Sequence, residues 1–225
     1  MAILKNVLGL DLGSHSIKAV EFKQTLRGLE PVQMRMQRRS GDDSSFAEDL
    51  REFIQSHALP TDHVVCSIAG DQISTRLLTL PFSDQKRLAQ AVPFAIEGTT
   101  PFDISEVVVD WAKASQGSEQ TQIVAATVKR TQVTDVLRSL RDAGIEPRIL
   151  EAEGLVLSNL AEVFPIAGQR LIVDLGHRKT TLTLLTAGRP VFTRTLPLAG
   201  HALDQAIAAD RNCSSSDARR LREEE

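Results

Sequence analysis

GLDLGSHSIKAVEF at residues 9–22 is answered by IVDLGHRKTTLTLL at residues 172–185. Asp11-Leu12-Gly13 aligns with Asp174-Leu175-Gly176, and in each copy an apolar strand ends in a glycine turn that opens a second apolar strand. Self-similarity of this kind bears on the whole architecture. Two copies are too few for a solenoid. They suit a two-lobed α/β fold in which each lobe offers one β-hairpin to a shared cleft.

Such a hairpin has a definite chemistry. Glycine lets the backbone approach a ligand closely, and successive N–H groups in the turn form a concave nest for phosphate oxygens. Ser14 and Ser16 add hydroxyl donors, and Lys18 adds a cation of the sort that meets phosphates. Asp11 and Asp174 are hard oxygen ligands suited to hydrated Mg²⁺, which often takes only one or two carboxylates. Against this stands the plain alternative that aspartate and glycine serve turn geometry alone. The second copy is the weaker one. His177, Arg178 and Lys179 replace the small polar residues expected opposite a phosphate, which leaves either extra anion contacts or a degenerate site.

Outward from the first hairpin, alternation through Leu29, Val32, Met34 and Met36 extends an antiparallel meander. A polar stretch, residues 38–45, supplies an N-cap serine to a helix carrying Phe46, Leu50, Phe53 and Ile54 on one face and ending near His57. VVCSIAG (64–70) and ISTRLLTLP (73–81) read as strands on either side of a Gly70-Asp71 turn. A helix capped by Ser83 carries Leu88, Val92 and Ile96, and Pro93 should kink or break it. EVVVDWAKA (106–114) and QTQIVAATVKR (120–130) form two strands joined by a polar loop. Val133, Val136, Leu137 and Leu140 share a helix face between a Thr131 cap and a Gly144 stop. Strand 145–151, helix 153–163 and strands 171–174, 180–186 and 189–197 follow, the last two turning at Ala187-Gly188. Leu203 and Ile207 mark a helix after Gly200, and Ser214 caps a final one.

Composition excludes several functions. At 42% hydrophobic, with a net charge of −3, the chain can build a core and is not disordered. The 26 basic residues are outnumbered by 29 acidic ones, which gives nucleic-acid binding no support. No window approaches the ~18 apolar residues of a membrane helix, and the N-terminus lacks a secretory signal. Cys66 and Cys213 are too few for a disulfide framework or a cysteine zinc site. The histidines at 15, 57, 63, 177 and 201 contain no H-x-x-x-H pair, so spacing gives no zinc site either. Arg35, Arg38 and Arg39 read as a solvated strand end, with attraction to a membrane surface as the alternative, and no catalytic residue is assigned. Glu151 and Glu153 are the nearest candidates for orienting a hydrolytic water, with a plain surface role as the alternative for both.

The run DLGSHSIK (11–18) resembles the first phosphate loop of the actin–hexokinase–heat-shock-protein ATPase superfamily, and VDLGHRKTTLTLL (173–185) resembles the second. AVPFAIEGTTPFDISEVVVDW (91–111), ILEAEGLVLSNLAEVF (149–164) and SSSDARRLREEE (214–225) resemble successive segments of the PilM-like branch, itself related to FtsA-like proteins. The resemblance covers essentially the whole chain. It implies an actin-like, ribonuclease-H-like fold with an inserted α+β subdomain. Residues 1–59 plus 144–165 would form the first lobe, 60–143 the insert, and 166–225 a partial second lobe that ends on a helix opening the next subdomain.

The resemblance also implies a cytoplasmic ATP-binding adaptor of a type IV pilus inner-membrane platform, peripheral to the membrane through its partners. It implies a groove between first lobe and insert for the N-terminal peptide of a PilN-like bitopic protein, with the platform's assembly ATPase as a further partner. ATP and Mg²⁺ are the implied cofactors. Asp11, Gly13, Ser14, His15, Ser16 and Lys18 would meet phosphate or metal from one lobe, Asp174 and Gly176 from the other, with Gly200 lining the nucleotide and Asp11 and Asp174 holding the metal. His15 and His201 depart from the small residues common at their positions. Ending where it does, the chain would lack the adenine side of the cleft and bind nucleotide weakly or not at all. The alternatives are a GspL-like cytoplasmic domain of a type II secretion platform, a small-molecule kinase of the same superfamily, and a purely structural interaction module with a vestigial cleft.

Overall fold

Alternating apolar residues build β1 (Asn6–Leu12), β2 (Ser16–Thr25) and β3 (Gly28–Arg38) as an antiparallel meander. The computed structural model describes residues 6–40, 46–116, 120–165 and 167–224. The expected serine cap of the first helix lies outside these residues. α1 (Phe46–Ser56) follows, then β4 (Val64–Ile68), which runs parallel to β1. The chain leaves that sheet through a 3₁₀ turn at Gly70–Gln72 and forms β5 (Ser74–Leu80), α2 (Gln85–Glu97), β6 (Val107–Gln116) and β7 (Thr121–Lys129). It returns through α3 (Arg130–Asp142) to β8 (Pro147–Ala152), parallel to β4.

Two cores result. Leu8, Leu10, Ile17, Val64 and Cys66 of the first sheet, ordered β3-β2-β1-β4-β8, pack against Leu50 and Phe53 of α1 and Leu140 of α3. Phe53 is fully buried, and such burial contributes about 2–3 kcal/mol. Leu88, Val92 and Ile96 of α2 pack on Leu80, Ile123 and Ala125 of the antiparallel sheet β5-β7-β6.

After β8 the chain makes two single turns, α4 (Glu153–Val156) and α5 (Leu160–Val163), joined by a 3₁₀ turn. β9 (Gln169–Leu175), β10 (Thr180–Thr186) and β11 (Arg189–Leu196) then form a third sheet, ordered β11-β10-β9, followed by α6 (Gly200–Arg211) and α7 (Ser215–Glu224). Ala187 and Gly188 both have positive φ, as a two-residue hairpin turn between twisted strands requires. Buried Gly154 of α4 lies against Thr193 and gives its carbonyl to the Thr183 hydroxyl at 2.8 Å, which sews the third sheet to the end of the first.

Several expectations are corrected. Residues 60–143 are divided between sheets, because β4 is an interior strand of the first sheet and Leu140 and Val136 of α3 pack on that sheet's core. An unbroken apolar run such as VVCSIA suits a strand with parallel neighbours on both sides. Gly70 and Asp71 therefore join two different sheets instead of closing a hairpin. α2 is capped by Asp84, whose carboxylate accepts from the Arg87 amide at 2.9 Å, in place of Ser83. α3 starts one turn position before Thr131, with the Lys129 amide donating to Gln132. α2 runs through Pro93 without ending, since the carbonyl deprived of its donor, that of Ala89, sits at an exposed position. The helix expected over 153–163 is broken into its three short turns.

Candidate functional site

The two glycine turns are alike in three dimensions. A Cβ added to Gly13 would stand 2.7 Å from the Ser16 carbonyl oxygen, and one added to Gly176 would stand 2.8 Å from that of Lys179. Both turns fold back on the residue three positions on, and Gly176 donates its amide to Lys179 at 3.0 Å. In the first, Asp11 pairs across the strands with Lys18, whose ammonium lies 2.7 Å from the carboxylate. Both side chains are half exposed, so the pair is worth at most about 1 kcal/mol. Ser14 and Ser16 are half-buried in the same turn, and the Arg39 amide ties it to the end of β3 through the His15 carbonyl. Asp174 sits exposed on β9 opposite Thr181.

The first residues of α6 lie on the second turn. Gly200 donates its amide to the Gly176 carbonyl at 3.1 Å, and His201 donates to His177 at 2.7 Å. This contact brings three imidazoles together. The rings of His15 and His177, one from each turn, have centroids 4.7 Å apart, and His201 stands 5.2 Å from His177.

α7 completes the cluster. Asp204 of α6 is fully buried and accepts from Arg219 at 3.1 Å and from Arg222 at 2.7 Å. Burial alone would raise its pKa, but the two guanidinium hydrogen bonds outweigh it and hold the carboxyl below the usual range. Arg219 also approaches Nε2 of His15 at 3.3 Å, and Arg38 approaches Glu223 at 3.6 Å. α7 thus touches both the first turn and the end of β3. Burial, then Arg219 and Arg38, lowers the pKa of His15, and burial with His15 and Arg219 lowers that of His177 to about 4. Both shifts favour the neutral ring. His177, His201 and Asp204 bring donor atoms within 4.8 Å of one another, yet two guanidinium groups already occupy the carboxylate and set positive charge where a metal ion would lie.

Two expectations outside the turns are corrected. Glu153 is no surface residue: it accepts from the Gly70 amide and from Lys179 at 2.5 Å, pinning the second turn to the start of α4. Arg39 is not solvated either, since it lies 3.7 Å from Asp49 with its guanidinium over the Phe46 ring. Sequence spacing also missed the histidine cluster, because His15, His177 and His201 belong to three segments that meet only in the fold. The available signal was that all three stand where small residues are expected.

The family model described as type IV pilus assembly protein PilM matches residues 9–225. The chain belongs to the PilM family. Its fold is that of the actin-like ATPases, and among solved structures it is similar to a PilM-PilN type IV pilus biogenesis complex, with a TM-score of 0.81 and 24% identity over 96% of this chain and 68% of that one. It is also similar to the cytoplasmic domain of EpsL from the Vibrio cholerae type II secretion system, with a TM-score of 0.56 and 17% identity over 93% of this chain and 78% of that one. An MreB of Spiroplasma citri bound to ADP matches with a TM-score of 0.50 and 13% identity over 96% of this chain and 61% of that one. Among the described residues no helix is long and apolar enough to cross a membrane.

The arrangement between the turns does not fit MgATP. Imidazoles with centroids 4.7 Å apart are in van der Waals contact, so an anion between them would have to separate the rings. The leading amides of α6, which would face an anion, donate to carbonyls of the second turn instead.

Proposed function

We propose that this PilM-family protein is a cytoplasmic adaptor of the type IV pilus platform that holds the N-terminal peptide of a PilN-like bitopic membrane protein. The observation that carries this is a cleft of about 420 Å³ between the end of the first sheet and the inserted β5-β7-β6 sheet. Ile73, Trp111, Val133, Leu137, Leu150 and Leu155 give it an apolar wall, and Asp110, Arg148 and Glu151 supply polar groups. The volume suits a few anchoring side chains, and mixed charges beside an apolar wall suit an amphipathic segment recognised through pockets. The cleft borders α3 and α4, so its shape depends on the contact between α4 and the third sheet. Binding, rather than hydrolysis, is the function this geometry supports.

Trp111 is the chain's single tryptophan and lines the cleft, so it reports on occupancy. A synthetic peptide of the partner's cytoplasmic N-terminus, titrated without nucleotide, should shift Trp111 fluorescence saturably. Binding with no change at Trp111, or none at all, would overturn the assignment.

A further inference from the structure

We propose that the cleft between the two glycine turns is filled by the protein's own side chains, with His15, His177 and His201 standing in the phosphate position and Arg219 latching them, so that the lobes close without MgATP. Three independent departures from the small residues expected at such turns converge on one spot. His15 comes from the β1–β2 turn, His177 from the β9–β10 turn, and His201 from the first turn of α6. Their rings lie in a row, tilted by 38° and 57° to one another, with centroid separations of 4.7 and 5.2 Å. A phosphate could enter only by separating rings already in contact.

The latch is anchored. Arg219 reaches His15 with one nitrogen and donates to buried Asp204 with another, while Arg222 holds the second oxygen of the same carboxylate. Arg38 and Glu223 make a parallel bridge from β3 to α7. The lowered pKa of His177 agrees with this placement, since burial, His15 and Arg219 all favour its neutral form. Lys179 of the second turn is bound to Glu153 at the start of α4, which holds that carboxylate in an ion pair. The two lobes are therefore joined by contacts that a nucleotide would otherwise provide.

An occupied cleft lowers nucleotide affinity by the fraction of molecules in which it is open. Substituting small residues for the rings should remove that cost. The test is calorimetric titration of MgATP into the wild-type protein and into the His15→Ser/His177→Ala/His201→Gly variant, with circular dichroism to verify folding. The variant should bind at least about tenfold more tightly than the wild type. Equal affinity in the two proteins, or a folded variant that binds no MgATP, would overturn the proposal. Imidazole NMR resonances of the wild type give a second readout that does not depend on the variant. They should move in step with whatever weak MgATP binding the wild type shows, because the nucleotide displaces the rings, and saturable binding that leaves them in place would sink the idea. The peptide titration at Trp111 is independent of both, so this inference and the adaptor assignment can fail separately.

Discussion

Replacing Asp204 with alanine probes the joint between α6 and α7. Its carboxylate is fully buried and accepts from Arg219 at 3.1 Å and Arg222 at 2.7 Å, so the substitution strands two guanidinium groups at once. Removing one partner of a fully buried ion pair costs about 3–5 kcal/mol. Here the arginine side chains are 20% and 31% exposed and can turn partly to water, which brings the expected loss to about 2–3 kcal/mol. A chain of this size loses about 2–4 °C of Tm per kcal/mol, so the melting temperature should fall by roughly 5–10 °C. Urea unfolding followed by circular dichroism reads the free energy directly. The Arg219→Ala/Asp204→Ala double variant should lose clearly less than the two single losses added together, because the groups share one interaction. A loss below about 1 kcal/mol for Asp204→Ala would show that the carboxylate organises nothing, and strict additivity would remove the coupling on which the latch depends.

pH should act through the same cluster. His177, facing His15, His201, Arg219 and Asp204, has its pKa depressed to about 4, and His15, facing Arg219, Arg38, Glu223 and Asp204, is lowered too. A depressed histidine stabilises the folded state fully above its unfolded pKa of about 6.5 and loses that contribution as pH falls towards the folded value. Thermal melts should therefore show wild type losing its advantage over His177→Gln between about pH 6.5 and pH 4; parallel curves would contradict the assignment. Gly13→Ala and Gly176→Ala each force a Cβ to within 2.8 Å of a carbonyl oxygen, and each should cost about 1–3 kcal/mol in urea titration. Gly98→Ala, whose added carbon meets nothing within 4 Å, is the control and should be near neutral.

Much of this architecture is legible in the sequence because the repeat is physical: the two DLG turns fold onto the carbonyl three residues on in the same way. The β1–β2–β3 meander follows from alternation, and the β10–β11 hairpin from Ala187-Gly188. The allocation of β4 does not, because its apolar run identifies a buried strand without saying which sheet buries it. Asp84 and Ser83 are equally good N-cap residues, and only the Arg87 amide distinguishes them. Glu153 reads as an exposed glutamate until Gly70 and Lys179 arrive from elsewhere in the chain. The histidines are visible one by one as odd residues at small-residue positions. Their meeting requires the contact between α6 and the second turn, made through the backbone of Gly176 and His177, which no side-chain pattern encodes.

A PilM-family protein that holds a peptide between its first sheet and the inserted sheet, with the lobes closed by its own residues, should bind that peptide whether or not nucleotide is present. Titration of the partner's N-terminal peptide against Trp111 fluorescence, with and without MgATP, tests it most directly. The same saturable shift in both conditions is the expected result. A shift that appears only when MgATP is present, or that never appears, would contradict it.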